Sequence, residues 1–194
     1  MLQRDSKRHA TPAQRLYEEQ VGHTLRRGAC RGAGTDRHRV TSTALTGKIA
    51  ATFLVAGAAT LAADQASKAL VRAQVAPGSN HVVVPGALSI QHVENPGVSF
   101  GLGAGLGSYL MAPVLLATPF IAAAMIKHGA PAGLTAVGAG LVLAGGAGNM
   151  IDRARQHGTV TDFIGVNHLF TCNVADIGVS AGMGMLLLAN FQHV

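Results

Sequence analysis

Residues 131–153 read PAGLTAVGAGLVLAGGAGNMIDR, and this stretch decides the fold. Its first part, residues 131–150, carries no charge and matches the ~20 residues that a helix needs to cross a bilayer. Its glycines, among them Gly145 and Gly148, allow neighbouring membrane helices to approach closely. The stretch therefore predicts a tightly packed membrane-spanning helix that ends in polar residues.

Three more apolar stretches are long enough to span a membrane. They cover residues 45–63, about 109–126 and about 174–191. Lys48 interrupts the first of them, but its long side chain can reach the interface from a helix end. Four spans place both termini on one side. We therefore expect an all-α membrane protein with four transmembrane helices.

The chain separates into a charged tail and a nearly neutral remainder. Residues 1–48 hold ten Lys or Arg and four Asp or Glu, whereas residues 49–194 hold five of each. We expect residues 1–43 to form a disordered basic cytoplasmic extension, and residues 44–194 to form the membrane domain. An apolar domain without a basic face argues against nucleic-acid binding, for which the tail is the lesser alternative.

The distribution of Lys and Arg predicts the orientation, because cytoplasmic loops are enriched in these residues. The basic tail and Lys127 lie on one side of the predicted spans, so both termini are expected in the cytoplasm. The connections 64–108 and 151–172 then face outward. Within the first connection, the valines at 82–84, the dipeptide Pro85-Gly86 and an alternating run at 88–93 predict a β-hairpin on the membrane surface.

The five acidic residues after position 48 all fall at predicted outer span ends or in outer connections. They are Asp64, Glu94, Asp152, Asp162 and Asp176. Ionisable groups at such depths are costly to keep there, which makes them functional candidates. We expect the acids to converge on one surface of the protein.

Asp64 and Lys68 lie four positions apart and would meet on one helix face. This spacing is typical of an ion pair that fixes a helix end. It also fits a lysine near a substrate or lipid headgroup. A third alternative is a Ser-Lys hydrolase, for which Ser67, Ser89 or Ser99 would have to lie within reach of the lysine.

Further polar residues follow the hairpin and the third span. Asn149 and Asp152 are three positions apart and share a helix face, and Arg153 can pair with Asp152 or bind a phosphate. Asn95 offers both a donor and an acceptor, as would be needed to hold an extended peptide. Taken alone, Asn95 to Gly97 is equally typical of a turn after a strand.

Asp162 lies between apolar residues after the third span, and Asp176 opens the fourth, where a helix N-terminus favours a carboxylate. If they meet, the two carboxyl groups share one proton and titrate as a unit. One then activates water while its protonated partner polarises a carbonyl, as in aspartic proteases. The alternative is a helix cap at Asp176 and a loop residue at Asp162.

Five strings, taken in order, resemble those of lipoprotein signal peptidase, the bacterial signal peptidase II family. The family shows Asp-Gln-x-Ser/Thr-Lys, Asn-x-Gly-x-x-Phe, a glycine-rich string ending in Gly-Asn-x-x-Asp-Arg, Val-x-Asp-Phe, and Asn-x-Ala-Asp. The counterparts here lie at 64–68, 95–100, 145–153, 160–163 and 173–176. The resemblance extends from about residue 45 to the C-terminus.

The resemblance implies an intramembrane aspartic endopeptidase with four transmembrane helices, a small extracytoplasmic β-cradle and no metal or other cofactor. Such an enzyme removes signal peptides from prolipoproteins by cleaving before the diacylglyceryl-modified cysteine, at the outer side of the bacterial cytoplasmic membrane. Its partners are these prolipoproteins and membrane phospholipid, without nucleic acid, and we expect a monomer. Asp162 and Asp176 match the catalytic positions. The positions that shape the site or bind substrate are matched by Asp64, Lys68, Asn95, Gly97, Asn149, Asp152, Arg153, Asn173 and Ala175.

The chain departs from the family strings at a few positions beside the site. Family members usually carry Ala-Ala, Phe and Ser where this chain has Val98-Ser99, Cys172 and Ile177, so substrate fit or rate is expected to differ. Two other classes of protein stay open. A small transporter or proton-conducting bundle predicts acids along the spans rather than at one end, and a non-catalytic scaffold tolerates neutral substitutions at both aspartates.

Overall fold

The computed structural model describes residues 45–97, 107–167 and 169–192. The predicted tail, residues 1–43, and the departures at Val98 and Ser99 lie outside these ranges. The elements follow in the order α1 (Leu45–Gln74), β1 (Asn80–Val84), β2 (Leu88–Asn95), α2 (Gly107–Lys127), α3 (Ala132–Arg155), β3 (Val160–Val166), β4 (Phe170–Cys172) and α4 (Val174–Phe191).

Within the described ranges, three helices are long and apolar enough to cross a membrane, namely α1, α3 and α4. Helix α2 contributes a shorter apolar segment, Met111–Lys127. A membrane protein built from apolar helices is therefore confirmed. The count of four spans stays a prediction.

Helix α1 is longer than its apolar stretch predicts. Hydropathy ends the span at residue 63, but the helix continues to Gln74. Its last turns carry Asp64 and Lys68, whose charges pair with each other inside the protein. The helix extends beyond the apolar stretch because its polar side chains find partners inside the protein, so the end of the span at residue 63 stays a prediction.

Helix α3 packs closely against both α1 and α4 through its glycines. A Cβ atom on Gly140 would lie 2.7 Å from the carbonyl oxygen of Phe53 in α1. A Cβ atom on Gly138 would lie 2.9 Å from the carbonyl oxygen of Gly182 in α4. Backbones can approach this closely only where the side chain is missing. The glycine-mediated packing predicted for the third span is confirmed.

The predicted β-hairpin is present, but the sheet is larger than the sequence indicates. Strands β1 and β2 are antiparallel and turn at Pro85-Gly86, where the φ angle of Gly86 is 72°, a conformation that favours glycine. Strands β3 and β4 extend the sheet to the order β1-β2-β3-β4. Strand β3 is buried along most of its length, so no alternating pattern reveals it in the sequence.

The register of the sheet places residues from separate sequence motifs next to each other. Val93 lies opposite Asp162, and Asn95 lies opposite Val160. The pairing of β2 with β3 shifts between Ile90 and Val93. Such bulges bend a strand and redirect its side chains, and they are frequent beside active sites.

Candidate active site

Two aspartates reach the same small cavity from different elements. Asp162 extends from strand β3, and Asp176 from the first turn of α4. The cavity has a volume of about 20 Å³, and one water molecule needs roughly 10–15 Å³. A water molecule therefore fits beside both carboxyl groups, which we call the acid pair. The cavity is lined by Asn95, Gly97, Met111, Asn149, Arg153, Val160, Asp162 and Asp176.

Neutral amides connect the acid pair. The side-chain nitrogen of Asn173 donates to Asp162 Oδ1 at 2.7 Å, and its oxygen accepts from the backbone N–H of Asp176 at 3.0 Å. The side-chain nitrogen of Asn149 donates to Asp176 Oδ1 at 2.8 Å. The oxygen of Asn149 accepts from Asn173 at 3.1 Å. Each carboxyl group is thus held by an amide that carries no charge.

Asp176 also caps helix α4. Its Oδ2 accepts from the backbone N–H of Asn173 at 3.2 Å, and together the two residues form a capping box. The cap and the functional acid were alternatives in the sequence, but the structure shows that they are compatible. The cap occupies one oxygen and fixes the direction in which the carboxyl group points.

Asp162 lies in a strand and not in a loop. Its Oδ2 accepts from the amide of Asn95 at 2.8 Å, and the oxygen of that amide accepts from the backbone N–H of Gly97 at 2.8 Å. The pKa of Asp162 is raised from 3.8 to about 6, with burial as the largest cause. The charge of Asp176 also raises this pKa, whereas the hydrogen bonds from Asn95 and Asn173 and the charge of Lys68 lower it.

A buried ion cluster, formed by Asp64, Lys68 and Asp152, adjoins the acid pair. The ammonium of Lys68 lies 2.9 Å from Asp64 Oδ2 and 3.0 Å from Asp152 Oδ2. It also donates to Asn149 Oδ1 at 2.9 Å. None of the three charged side chains is more than 1% exposed. The ion pair predicted from the spacing of Asp64 and Lys68 is confirmed, and Asn149 joins the cluster to the acid pair.

The hydroxyls considered for a Ser-Lys hydrolase have other partners. Ser67 donates to the backbone carbonyl of Asp64 at 2.9 Å, and Ser89 accepts from the amide of Gln91 at 2.8 Å. Ser99 lies outside the described residues. Lys68 is fully buried between its two carboxylates, so an exposed lysine that binds a lipid headgroup is excluded as well.

Arg153 holds the segment that follows β2. Its Nη2 donates to the backbone carbonyl of Gly97 at 2.6 Å, and its Nη1 to the carbonyl of Asn149 at 3.4 Å. Its Nε is buried and has no hydrogen-bond partner among the residues that the structure describes. The arginine that approaches Asp152, at 3.7 Å, is Arg72. Arg153 therefore ties α3 to the backbone of Gly97 beside the cavity.

Two small residues bring the helices close to the ion cluster. The backbone N–H of Ala175 donates to Asp64 Oδ1 at 2.9 Å. Gly148 lies so near that a Cβ atom would be 2.5 Å from Asp64 Oδ2. The absence of a large side chain at both positions allows α1, α3 and α4 to meet here.

The structure brings all the site candidates of the sequence into one connected network. Glu94, the fifth acid, lies in a neighbouring polar cluster. Sequence reasoning missed Gln65, whose amide donates to Asp64 Oδ2 at 3.1 Å; its position beside Asp64 was the available signal. It also missed Met111, which no sequence feature distinguishes from other apolar residues of α2.

A larger, mostly apolar cavity of about 490 Å³ opens beside Asp176, between the β3–β4 hairpin and α4. Two of the departures from the family strings, Cys172 and Ile177, lie in its wall. Burial, together with the charges of Asp176 and Asp162, raises the pKa of the Cys172 thiol to about 11. This thiol is therefore neutral and unreactive at physiological pH.

Across the described ranges, no three His, Cys, Asp or Glu residues gather as the ligands of a metal ion would. The polar centre of the site consists of carboxyl groups, amides and two kinds of cation. Apolar helices around a water-sized cavity with two aspartates define the class of protein as a membrane-embedded enzyme.

Comparisons with known proteins identify the family. The family described as Signal peptidase (SPase) II matches residues 44–192. A lipoprotein signal peptidase of Dehalococcoides mccartyi strain BAV1 is 38% identical over 143 residues, which are 70% of this chain and 87% of that protein. The lipoprotein signal peptidase of Caulobacter vibrioides is 36% identical over 142 residues, covering 69% and 83%.

The fold is similar to that of a bacterial membrane enzyme solved by the in meso method at 2.3 Å resolution. The TM-score is 0.59 at 25% identity, over 73% of this chain and 88% of that one. The chain belongs to the signal peptidase II family. It is therefore a bacterial membrane hydrolase, a protease of lipoprotein processing.

Proposed function

We propose that this protein is an aspartic endopeptidase that removes signal peptides from prolipoproteins, cutting before the diacylglyceryl-modified cysteine. Membership of the family supports the substrate class. The aspartic mechanism rests on one observation, the placement of Asp162 and Asp176 at a single cavity that has room for a water molecule.

In the proposed reaction the acid pair holds one proton. The ionised carboxylate removes a proton from the water, whose oxygen attacks the carbonyl carbon of the scissile bond, while the protonated partner gives its proton to the carbonyl oxygen. The resulting diol collapses as a proton moves to the leaving nitrogen and the C–N bond breaks. Burial supports this role, because two carboxyl groups in a low-dielectric site do not both ionise.

Neighbouring residues prepare the acid pair for this reaction. Asn149 and Asn173 hold the carboxyl groups in place without adding charge. In the ion cluster, in contrast, Lys68 pairs with two carboxylates and anchors Asn149. Arg153 holds the backbone carbonyl of Gly97 at the edge of the cavity.

The cavity beside Asp176 is suited to an apolar part of the substrate. Its volume of about 490 Å³ falls within the ~300–1,000 Å³ that is typical of ligand sites. A signal peptide and two acyl chains are both apolar, so this cavity agrees with the proposed lipid-modified precursor. Cys172 and Ile177 in its wall are the residues that would adapt the fit.

We also propose how the protein is oriented in the membrane and how its chain divides into domains. The acid pair lies where the C-terminal ends of α1 and α3 meet the N-terminal end of α4, and we place this end at the outer side of the cytoplasmic membrane, with both termini in the cytoplasm. Residues 44–194 form the peptidase domain with four transmembrane helices and an extracytoplasmic β-cradle, and residues 1–43 precede it on the cytoplasmic side. The enzyme acts as a monomer, and phospholipid surrounds it.

The direct test is cleavage of a diacylglyceryl-modified precursor peptide by the purified protein in detergent. Asp162→Asn and Asp176→Asn each remove one member of the acid pair, and we expect each to lower the rate by about 10³-fold or more. Asp36→Asn makes the same chemical change in the tail and is the matched control, with the parent rate expected. Full activity of either cavity variant would end the proposal.

A further inference from the structure

Thr161, which directly precedes Asp162, is a buried polar residue at the position that the family string Val-x-Asp-Phe leaves open. Its side chain is fully buried. A threonine hydroxyl in such a place must be satisfied by hydrogen bonds, since leaving it unpaired costs stability. Successive side chains of a strand point to opposite faces, so Thr161 faces away from the cavity that Asp162 enters.

The hydroxyl of Thr161 has partners on two other elements. It donates to Glu94 Oε1 in β2 at 3.0 Å and accepts from Arg72 Nη1 in α1 at 3.1 Å. The carboxylate of Glu94 also accepts from Thr159 at 2.9 Å and contacts His92 Nε2 at 3.2 Å. One hydroxyl thus ties strand β3 to its neighbouring strand and to the end of α1.

Gln156 completes this arrangement, which we call the Thr161 cluster: Arg72, Glu94, Gln156 and Thr161. The side-chain amide of Gln156 is oriented so that both its nitrogen and its oxygen have hydrogen-bond partners. In this orientation the nitrogen donates to the Glu94 carboxylate at 3.2 Å and the oxygen accepts from Arg72 at 3.2 Å. Gln156 follows α3 directly. The cluster therefore joins α1, β2, the end of α3 and β3 around one side chain.

The backbone at Thr161 is anchored as well. Its N–H donates to Asp152 Oδ2 at 3.4 Å, and Asp152 belongs to the ion cluster. The irregular pairing of β2 with β3 between Ile90 and Val93 lies directly beside this point. A strand at a bulge has fewer ladder hydrogen bonds to fix its twist, so side-chain anchors on both faces decide the direction of Asp162.

We propose that Thr161 is a positioning residue for Asp162, and that the Thr161 cluster sets the angle at which this carboxyl group enters the cavity. The cluster acts through the strand and touches neither the water nor the substrate. This inference rests on the proposed aspartic mechanism, because Asp162 is the residue that is positioned.

The contacts of Asp162 show what misplacement would change. Asn95 and Asn173 donate to its two oxygens at 2.8 and 2.7 Å, and both hydrogen bonds lower its pKa. The charged neighbours of this carboxyl group include Asp176 from α4, Lys68 from α1 and Arg153 from α3. A carboxyl group that turns away from the two amides loses a stabilisation of its charged form, so its pKa rises.

The experiment compares Thr161→Val, which removes the hydroxyl at nearly constant shape, with Thr161→Ser, which retains it. We expect Thr161→Val to lower kcat about tenfold with little change in KM, since small misplacements of reacting groups are costly, and Thr161→Ser to restore most of the rate. Thr135→Val is the matched control, because Thr135 is equally buried but lies in the first turn of α3 and donates to Pro131. Parent-like kcat in Thr161→Val would overturn the proposal, as would an equal loss in Thr135→Val.

A second measurement does not depend on activity and therefore separates this inference from the proposed function. The titration of the Asp162 carboxyl carbon is followed by NMR, with Asp162→Asn for assignment. We expect a higher midpoint in Thr161→Val than in the parent and an unchanged midpoint in Thr135→Val. An unchanged midpoint in Thr161→Val would contradict positioning, even if the protein proved inactive for another reason.

Glu94→Gln tests whether the cluster works as a unit. If Thr161 acts through Glu94, the loss of kcat in the double variant Thr161→Val, Glu94→Gln is much smaller than the product of the two single losses. Fully multiplicative losses would show that the two residues act separately, and would overturn the proposed cluster.

Discussion

The ion cluster and the acid pair each contain two aspartates, but the side chains that contact these aspartates differ in charge. In the ion cluster, Lys68 lies 2.9 and 3.0 Å from the two aspartates, and both negative charges have a cation beside them. In the acid pair, the side chains that donate to Asp162 and Asp176 are neutral amides. The two aspartates of the ion cluster form buried ion pairs that join α1 to α3. The acid pair has neutral donors instead, which agrees with the shared proton that we propose for it.

The largest expected effect comes from removing the cation. Lys68→Met leaves Asp64 buried without the cation that pairs with it and leaves Asp152 with only the more distant Arg72, at 3.7 Å, and breaking a buried ion pair in this way costs about 3–5 kcal/mol of stability. We expect a marked fall in Tm, measured by thermal unfolding in detergent, together with loss of activity.

The control for this change lies on the same helix. Lys48 is exposed near the start of α1, so Lys48→Met is expected to leave Tm within about a degree, because exposed charges contribute little. If Lys68→Met unfolded at the same temperature as the parent, the ion cluster would not stabilise the fold, and its contrast with the acid pair would fail.

A smaller loss of stability is expected when a methyl group is added beside the ion cluster. In Gly148→Ala the new Cβ atom would lie 2.5 Å from Asp64 Oδ2 and 3.2 Å from its Cγ. Both atoms belong to a side chain that is fixed by Lys68 and Ala175, so it cannot yield freely, and overpacking of this kind costs about 1–3 kcal/mol. Chemical denaturation measures the loss.

Gly133→Ala is the matched control in the same helix, because nothing lies within 4 Å of the added Cβ atom there. Alanine is the better helix former, so equal or slightly higher stability is expected. Equal stabilities of the two variants would show that the close approach at Gly148 is not required.

The contacts of the ion cluster that depend on local spacing could be predicted from the sequence. Asp64 and Lys68 are one helical turn apart, and their ion pair follows from that distance along the chain. The second ion pair of Lys68, with Asp152, joins residues far apart in sequence and depends on the packing of α1 against α3. Spacing along the chain contains no information about that contact.

The strand that carries Asp162 could not be predicted for a different reason. Both faces of β3 are buried, so its sequence lacks the alternation that revealed the β1–β2 hairpin. The pairing of Asp162 with Asp176 was suggested by polar residues at span ends and by the family strings, and not by any local pattern. Thr161 and Gln156 were not singled out, because their partners lie on other elements.

The smallest expected effect concerns the amides of the acid pair. Asn95 donates to Asp162 and lowers its pKa, so Asn95→Ala raises that pKa above about 6. The shared proton is then retained to higher pH, and the alkaline limb of the pH-rate profile moves upward. Asn190→Ala, on the exposed side of α4, should leave the limb in place. A downward shift in Asn95→Ala would contradict the role of the amide.

The most direct test of the central claim, one proton shared between two aspartates, is the titration of the Asp162 carboxyl group in the parent and in Asp176→Asn. Carboxyl-carbon NMR of the protein in detergent gives the midpoint. We predict a midpoint near 6 in the parent, and a lower one in Asp176→Asn because the neighbouring negative charge is gone. Identical midpoints would mean that the two carboxyl groups titrate independently, and the mechanism proposed for this site would fail.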